Sequence, residues 1–281
     1  MNAKDLKRVY RKFVDELYHH PDDPGYPISY DICEMVRKVS WGTYSGLAVS
    51  WDISEIINSL HDWYRQVLNW SVWLEILKSY DGDDAWHIRM QCIQPVAFFC
   101  MFQPSAFRDR LGKLSTQAIH QANLCIDSTY LDCLDQDDDH RKFLSRRSSE
   151  AQLARIGKRW QNYRVFELNL KHIDSEKYRE VTRDYRNLAS HGTPPHFELG
   201  DVNLVTRSIV PWSEIVNQGD GTYQLVEHPT RKAVSYGIGG MQPLALSDML
   251  EINKTQLTLA VAAFHAYQAL VEEMIVALDS A

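Results

Sequence analysis

An all-α fold, a helical bundle with one small β-ribbon ahead of its last long helix, is what this sequence predicts. Three observations lead there. Apolar residues recur at i, i+3, i+4 and i+7 along most of the 281 residues. Strand-like alternation punctuated by Gly and Pro is confined to 200–243. The chain is 44% hydrophobic and 11% aromatic, with eight Trp and fourteen Tyr, enough apolar surface to bury a large core.

Each element has its own signal. Leu6, Val9, Tyr10, Phe13, Val14 and Leu17 predict a helix over 3–20, and the three prolines and glycine of HHPDDPGYP end it. A shorter helix fits 29–39, followed by the turn-like WGTYSG. The clearest stripe runs over 52–80, through Ile53, Ile56, Ile57, Leu60, Trp63, Tyr64, Val67, Leu68, Ser71, Leu74 and Leu77. Within that stripe Trp63, Trp70 and Trp73 read as core. Residues 84–102 are apolar nearly all round and predict a buried helix kinked at Pro95. Pro104 then opens a helix reaching about 134. After the acidic break DQDDDH at 135–140, helices are expected over 149–170 and from 175 to His191. VNLVTRSIV, TYQLVEH and RKAVSYGI read as ribbon strands, the last two forming a hairpin around Pro229-Thr230. The final helix starts near Ser247 or Asp248, with Asp248 and Glu251 as a capping box, and runs to about 278. The reading is one domain: 1–48 an N-terminal helical extension, 49–199 the bundle, 200–243 the ribbon and 244–281 the closing helix.

Composition excludes several functions. A formal net charge of -7 argues against non-specific coating of nucleic acid while leaving room for a local basic face. The opening MNAKDLKRVY is charged where a secretory signal is apolar, and no apolar run reads as a membrane span. The five cysteines, at 33, 92, 100, 125 and 133, include no C-x-x-C pair. They predict reduced thiols in a cytoplasmic protein. No metal or cofactor is expected. DQDDDH lacks the spaced ligands and glycine of a calcium loop, and His19, His20, Asp22 and Asp23 resemble a metal cluster in composition only. YGIGG is not a dinucleotide fingerprint, and there is no P-loop lysine.

The stretch RDYRNLASHG, Arg183 to Gly192, carries the chemistry. At 100° per residue Asn187 and His191 share a helix face, joined by Asp184, while Arg186 lies about 140° round from the histidine. Gly192 is a candidate C-cap and Pro194 prevents continuation. Histidine titrates near neutrality and suits general acid–base work; arginine presents a permanently charged fork that matches a phosphate. Those groups suffice to cleave RNA through its own 2′-OH.

Arg186-Asn187-Leu188-Ala189-Ser190-His191 resembles the R-N-x-x-x-H signature of the HEPN superfamily, all-helical RNases of toxin–antitoxin, CRISPR and abortive-infection systems. The resemblance covers the motif helix and its flanking helices, and implies a HEPN-like bundle that works as a homodimer. Two copies would bring their motifs into one composite, metal-independent site. It implies that Arg186 contacts the scissile phosphate, His191 is the acid or base and Asn187 orients either group. The products would be a 2′,3′-cyclic phosphate and a 5′-OH. A toxin or phage-defence role, with an antitoxin or other protein partner, belongs to the same implication.

A basic run precedes the motif. Arg141, Lys142, Arg146, Arg147, Arg155, Lys158, Arg159 and Arg164 stand against one acid, Glu150, interleaved with Trp160, Tyr163 and Phe166. Arg147, Arg155, Lys158 and Arg159, with Arg183, are the predicted RNA-backbone contacts. A solvated helix face is the plainer reading of the same residues. His196 is a candidate second imidazole. The competing function is a non-catalytic helical module that binds RNA or protein, or dimerises.

Overall fold

The computed structural model describes residues 3–20, 28–42, 44–132 and 144–280. Arg141, Lys142, Cys133, Asp22, Asp23 and the DQDDDH segment lie outside the described residues. Helices α1 (Ala3–Tyr18), α2 (Asp31–Lys38) and α3 (Ser45–Leu77) come first. They are followed by α4 (Gly82–Ile88), a π-helical turn (Arg89–Ile93) and α5 (Gln94–Ile126). Next come α6 (Arg146–Gly157), α7 (Tyr163–His172), α8 (Glu176–Val181) and α9 (Tyr185–His191). Strands β1 (Val202–Asn217) and β2 (Tyr223–Met241) form one antiparallel ribbon before α10 (Leu246–Asp279). The chain is mostly helical, with the ribbon where the alternation predicts it. It divides into two compact units: Met1–Arg186 with Leu246–Ala281, and Asn187–Ala245.

In the first unit α3 and α5 pack together and α10 lies against both, with α7 on α10 and α6 on α5. The stripe of α3 forms the core: Ile53, Ile56, Ile57, Leu60, Trp63 and Trp70 are all buried. By length and a mean hydropathy of 1.3 over its most apolar window, α10 is long and apolar enough to cross a membrane, which the sequence reading passed over. One face of it is packed into the core. Leu250, Leu257, Phe264 and Leu270 are buried among the other helices. The buried polar groups of α10 are held inside the unit, Asn253 Nδ2 donating to the Met249 carbonyl and Gln256 Oε1 accepting from the Asp174 N–H.

Helix breaks fall at other places than the prolines and glycines suggest. α5 runs through Pro104, and the interruption comes earlier, at the π-helical turn. Pro95 follows two residues after that turn in a continuous helix, and the widened turn at Arg89–Ile93 accommodates the intrahelical bond that its missing N–H removes. α5 stops at Ile126 because Asp127 closes an Asx turn, its carboxylate accepting from the Thr129 N–H at 3.0 Å and Oγ1 at 2.7 Å. α10 begins at Leu246, so Asp248 lies in its first turn and Glu251 pairs with Lys254 in place of a capping box.

The helix expected over 149–170 is two. Ser145 caps α6, its Oγ accepting from the Ser148 N–H, and the chain turns after Gly157 into α7. Gly157 is needed for contact: a Cβ there would lie 2.3 Å from the Tyr163 ring. Gly157→Ala should therefore destabilise by about 1–3 kcal/mol despite alanine's better helix propensity. Thermal melting checks this, and an unchanged or raised midpoint would refute it.

Helix α7 ends in an ionic knot built on one buried carboxylate. Asp174 takes the left-handed conformation at φ 50, and its backbone N–H donates to Gln256 Oε1. Its carboxylate accepts from Arg146 Nη1 at 2.6 Å and Arg179 Nη2 at 2.7 Å. Arg146 also reaches Asp109 at 2.5 Å, and Arg108 donates to the Ile173 and Asp174 carbonyls and to Glu150. Helices α5, α6, α7 and α8 are thereby tied together by charge as well as by packing.

The second unit is built on the ribbon. The chain turns at 218–222, and not at Pro229-Thr230 as the sequence suggests. Gly219 and Gly221 take φ of 84 and 90, and the Asp220 carboxylate accepts from the Thr222 N–H and Oγ1. Pro229 and Thr230 fall instead in an irregularity of β2: the register jumps from Pro211↔Lys232 to Ser213↔Glu227. The ends of the unit are pinned where Phe197 bridges Leu244, both buried.

Candidate functional site

The motif stands on its own short helix. Ser175 caps α8 through its Oγ, and α8 ends in a Schellman turn: the Arg183 N–H donates to the Glu180 carbonyl and the Asp184 N–H to that of Arg179. Arg183 and Asp184 both take left-handed φ, 53 and 52, a conformation usually left to glycine. The chain restarts as α9 at Tyr185. The single helix expected from 175 to 191 is thus broken, and Asp184 is not on the helix that carries Asn187 and His191.

Tyr185 anchors the start of α9. It is buried, with its ring edge-on to Phe98 at 6.3 Å, and burial pushes its hydroxyl pKa up to about 12. Arg186, Asn187 and His191 are exposed. Asn187 and His191 are one turn apart on the same face. Among the described residues no hydrogen bond or ion pair engages the Arg186 guanidinium or the His191 imidazole. α9 ends at His191, the Gly192 N–H donating to the Leu188 carbonyl at 2.7 Å, and Pro194 and Pro195 supply no further donors. The boundary between the two compact units falls between Arg186 and Asn187. His196 is exposed and lies beside Gly200, its carbonyl accepting from the Leu244 N–H.

The basic run is partly spoken for. Arg155 pairs with Asp132, Arg159 with Asp127 at 3.3 Å, and Arg146 belongs to the ionic knot. Arg147, Lys158 and Arg164 are exposed with no ion pair among the described residues, and Arg183 is exposed. The pairs with Asp132 and Asp127 were illegible beforehand, because those acids lie past the end of α5, 23 and 32 residues away. Among the described residues no group of three or more His, Cys, Asp or Glu is set to hold a metal ion, and Cys33, Cys92, Cys100 and Cys125 are free thiols.

A second polar cluster escaped the sequence reading. Tyr30, Glu55, Asn58, His61, Asp62 and Arg65 line a cleft of about 450 Å3, and Tyr30 Oη donates to Asn58 Oδ1 at 2.6 Å. Helical spacing on α3 gathers five of these groups, with Tyr30 brought in from the start of α2, but their positions interleave with the apolar stripe and hide in it. Burial holds the His61 pKa below its usual 6.5, outweighing the Ile28 backbone and Asp62, which act to raise it. A depressed histidine is neutral in the folded state, so below about 6.5 the unfolded chain binds more protons. That contribution to stability is present above 6.5 and lost as pH falls through it. Melting should drop more steeply on acidification for the wild type than for His61→Gln; parallel curves would refute this.

Compared with known proteins, the chain matches no family model, no curated sequence and no solved structure.

Proposed function

We propose that the protein is a metal-independent endoribonuclease of the HEPN type, acting as a homodimer. One observation carries the reading: an arginine and a histidine at R-N-x-x-x-H spacing stand exposed on one short helix, with no described side chain engaging either. Side chains kept for stability would be expected in pairs or in packing, as Arg146 and Arg179 are.

In the proposed reaction an imidazole takes the proton of a ribose 2′-OH as that oxygen attacks the adjacent phosphorus. The P–O5′ bond breaks, and the leaving oxygen takes a proton from an imidazolium. The products are a 2′,3′-cyclic phosphate and a 5′-OH. Two copies of His191 can share the two proton transfers, one from each protomer. The Arg186 guanidinium offsets charge on the phosphoryl oxygens, with two parallel N–H donors. Asn187, one turn from His191, orients the ring or the phosphate. Arg147, Lys158 and Arg183 supply backbone charge for the RNA. Reduced thiols fit a cytoplasmic setting, and a toxin or defence role, with an antitoxin or other partner, follows from the resemblance.

The test is incubation of labelled single-stranded RNA with the purified chain in EDTA. Cleavage with cyclic-phosphate ends is expected. Intact RNA, or cleavage that EDTA abolishes, would overturn the reading.

A further inference from the structure

We infer that the β-ribbon is a dimerisation arm whose apolar face packs on the same face of a second copy of this chain. The register puts Val205 beside Ile238, Ile209 beside Val234 and Ile215 beside Leu225. Alternation along β1 keeps all three pairs on one face. The face is open to solvent: Ile238 is 90% exposed, Val205 73% and Ile215 72%. The other face of the long arm is small and mostly polar, with Thr206 opposite Gly237, Ser208 opposite Ser235 and Val210 opposite Ala233. A two-stranded ribbon is marginal in water unless a further layer covers its hydrophobic side.

Area and charge identify the occupant. The apolar side chains of this face expose on the order of 1,000 Å2, against about 800 Å2 per partner in a standard interface. From Val202 to Met241 the acids Glu214, Asp220 and Glu227 balance Arg207, Arg231 and Lys232, so the ribbon is neutral in a chain of net charge -7. Two ribbons therefore meet without net repulsion, whereas nucleic acid or an anionic surface gains no net attraction. The charge on the apolar face is also polarised. Arg207 and the pair Pro211–Lys232 lie on the arm nearer the strand ends, and Glu227 and the Asp220 turn lie toward the tip. A two-fold axis near the irregularity sets the basic half of one copy over the acidic half of the other, as a self-complementary interface requires. Packing is face to face, because Pro211 and the irregularity at 228–231 interrupt the strand edges.

The test is the mass of the full-length protein by sedimentation equilibrium across a concentration series. The wild type is expected as a dimer. Tyr236→Ser combined with Ile238→Thr should weaken dimerisation about 100-fold, roughly tenfold per side chain. Val205→Thr with Ile209→Thr should do the same independently, while Ser208→Thr on the other face leaves the mass unchanged. These positions are exposed and outside the helical unit, so the helical unit should keep its fold and helical signal, and its unfolding is excluded as the cause. A monomeric wild type, a dimer indifferent to both double variants, or a monomer that needs the same face to bind neutral lipid vesicles would each overturn the inference. The inference supplies the second copy that the nuclease reading needs, yet fails separately: mass is read without RNA. A ribbon-dependent dimer that never cleaves RNA would sink the nuclease alone.

Discussion

Replacing His191 by alanine should lower the rate of RNA cleavage in EDTA by about 10² to 10⁴, the range for losing one general acid–base group. That corresponds to about 2.7–5.4 kcal/mol of transition-state stabilisation. The loss should fall on kcat, since the ring moves protons in the transition state and adds little to holding substrate. Arg186→Ala should raise KM as well as lower kcat, because a guanidinium on phosphate acts before and during the reaction. Arg186→Lys should recover part of the rate: charge is restored while the two-pronged geometry is not. Both residues are exposed and neither has a described partner, so melting should move by no more than about 0.5 kcal/mol in these variants. This separates catalysis from structure. Cleavage indifferent to His191→Ala and Arg186→Ala would remove α9 from the chemistry, whatever the chain's activity.

The bundle could be read from the residues because apolar periodicity is a local signal that tertiary packing reinforces. The stripe from Ile53 to Leu77 predicts α3, and α10 follows from its own stripe. Helix ends were less legible, for reasons that differ by site. Pro104 carries a strong local penalty that the burial of its neighbours in α5 overrides, with Ala97, Cys100 and Phe107 all buried. Gly157 reads as an ordinary helix interruption until the Tyr163 ring is seen against it. At 182–184 no glycine or proline marks the break: Arg183 and Asp184 enter the left-handed region because two backbone hydrogen bonds of the Schellman turn hold them there. In the ribbon, Pro-Thr looked like the stronger turn signal, yet the paired glycines around Asp220 set the turn and the proline went to the irregularity. The motif on α9 was legible as spacing and exposed polarity. The ionic knot was not, since Asp109, Arg146 and Asp174 are scattered along the chain and meet only in the fold.

The largest effect on stability is expected from that knot. Asp174 is only 4% exposed, and its carboxylate is the shared acceptor of Arg146 and Arg179. A buried ion pair need not stabilise relative to an apolar pair, but deleting one partner leaves uncompensated charge. In Asp174→Ala, Arg146 keeps Asp109 and the Ser105 oxygens yet loses its second carboxylate, and the hydrogen bonds from Arg179 to Asp174 are lost. The expected cost is about 2–4 kcal/mol, below the range for a fully buried pair because the Arg179 side chain is 44% exposed and Arg146 keeps Asp109. At roughly 2–4 °C per kcal/mol for a chain near this size, the midpoint should fall by on the order of 10 °C. The backbone supplies a second handle. Asp174 holds φ 50, which asparagine tolerates better than alanine does. Asp174→Asn should therefore fall between wild type and Asp174→Ala, keeping the turn while losing the charge. Asp174→Gly relieves the conformation but not the ionic defect, so it should resemble the alanine variant. That order separates charge from strain: if glycine restored wild-type stability, conformation and not ion pairing would be what Asp174 contributes. A shift of a degree or less in all three would mean that α5, α6, α7 and α8 are held by packing alone.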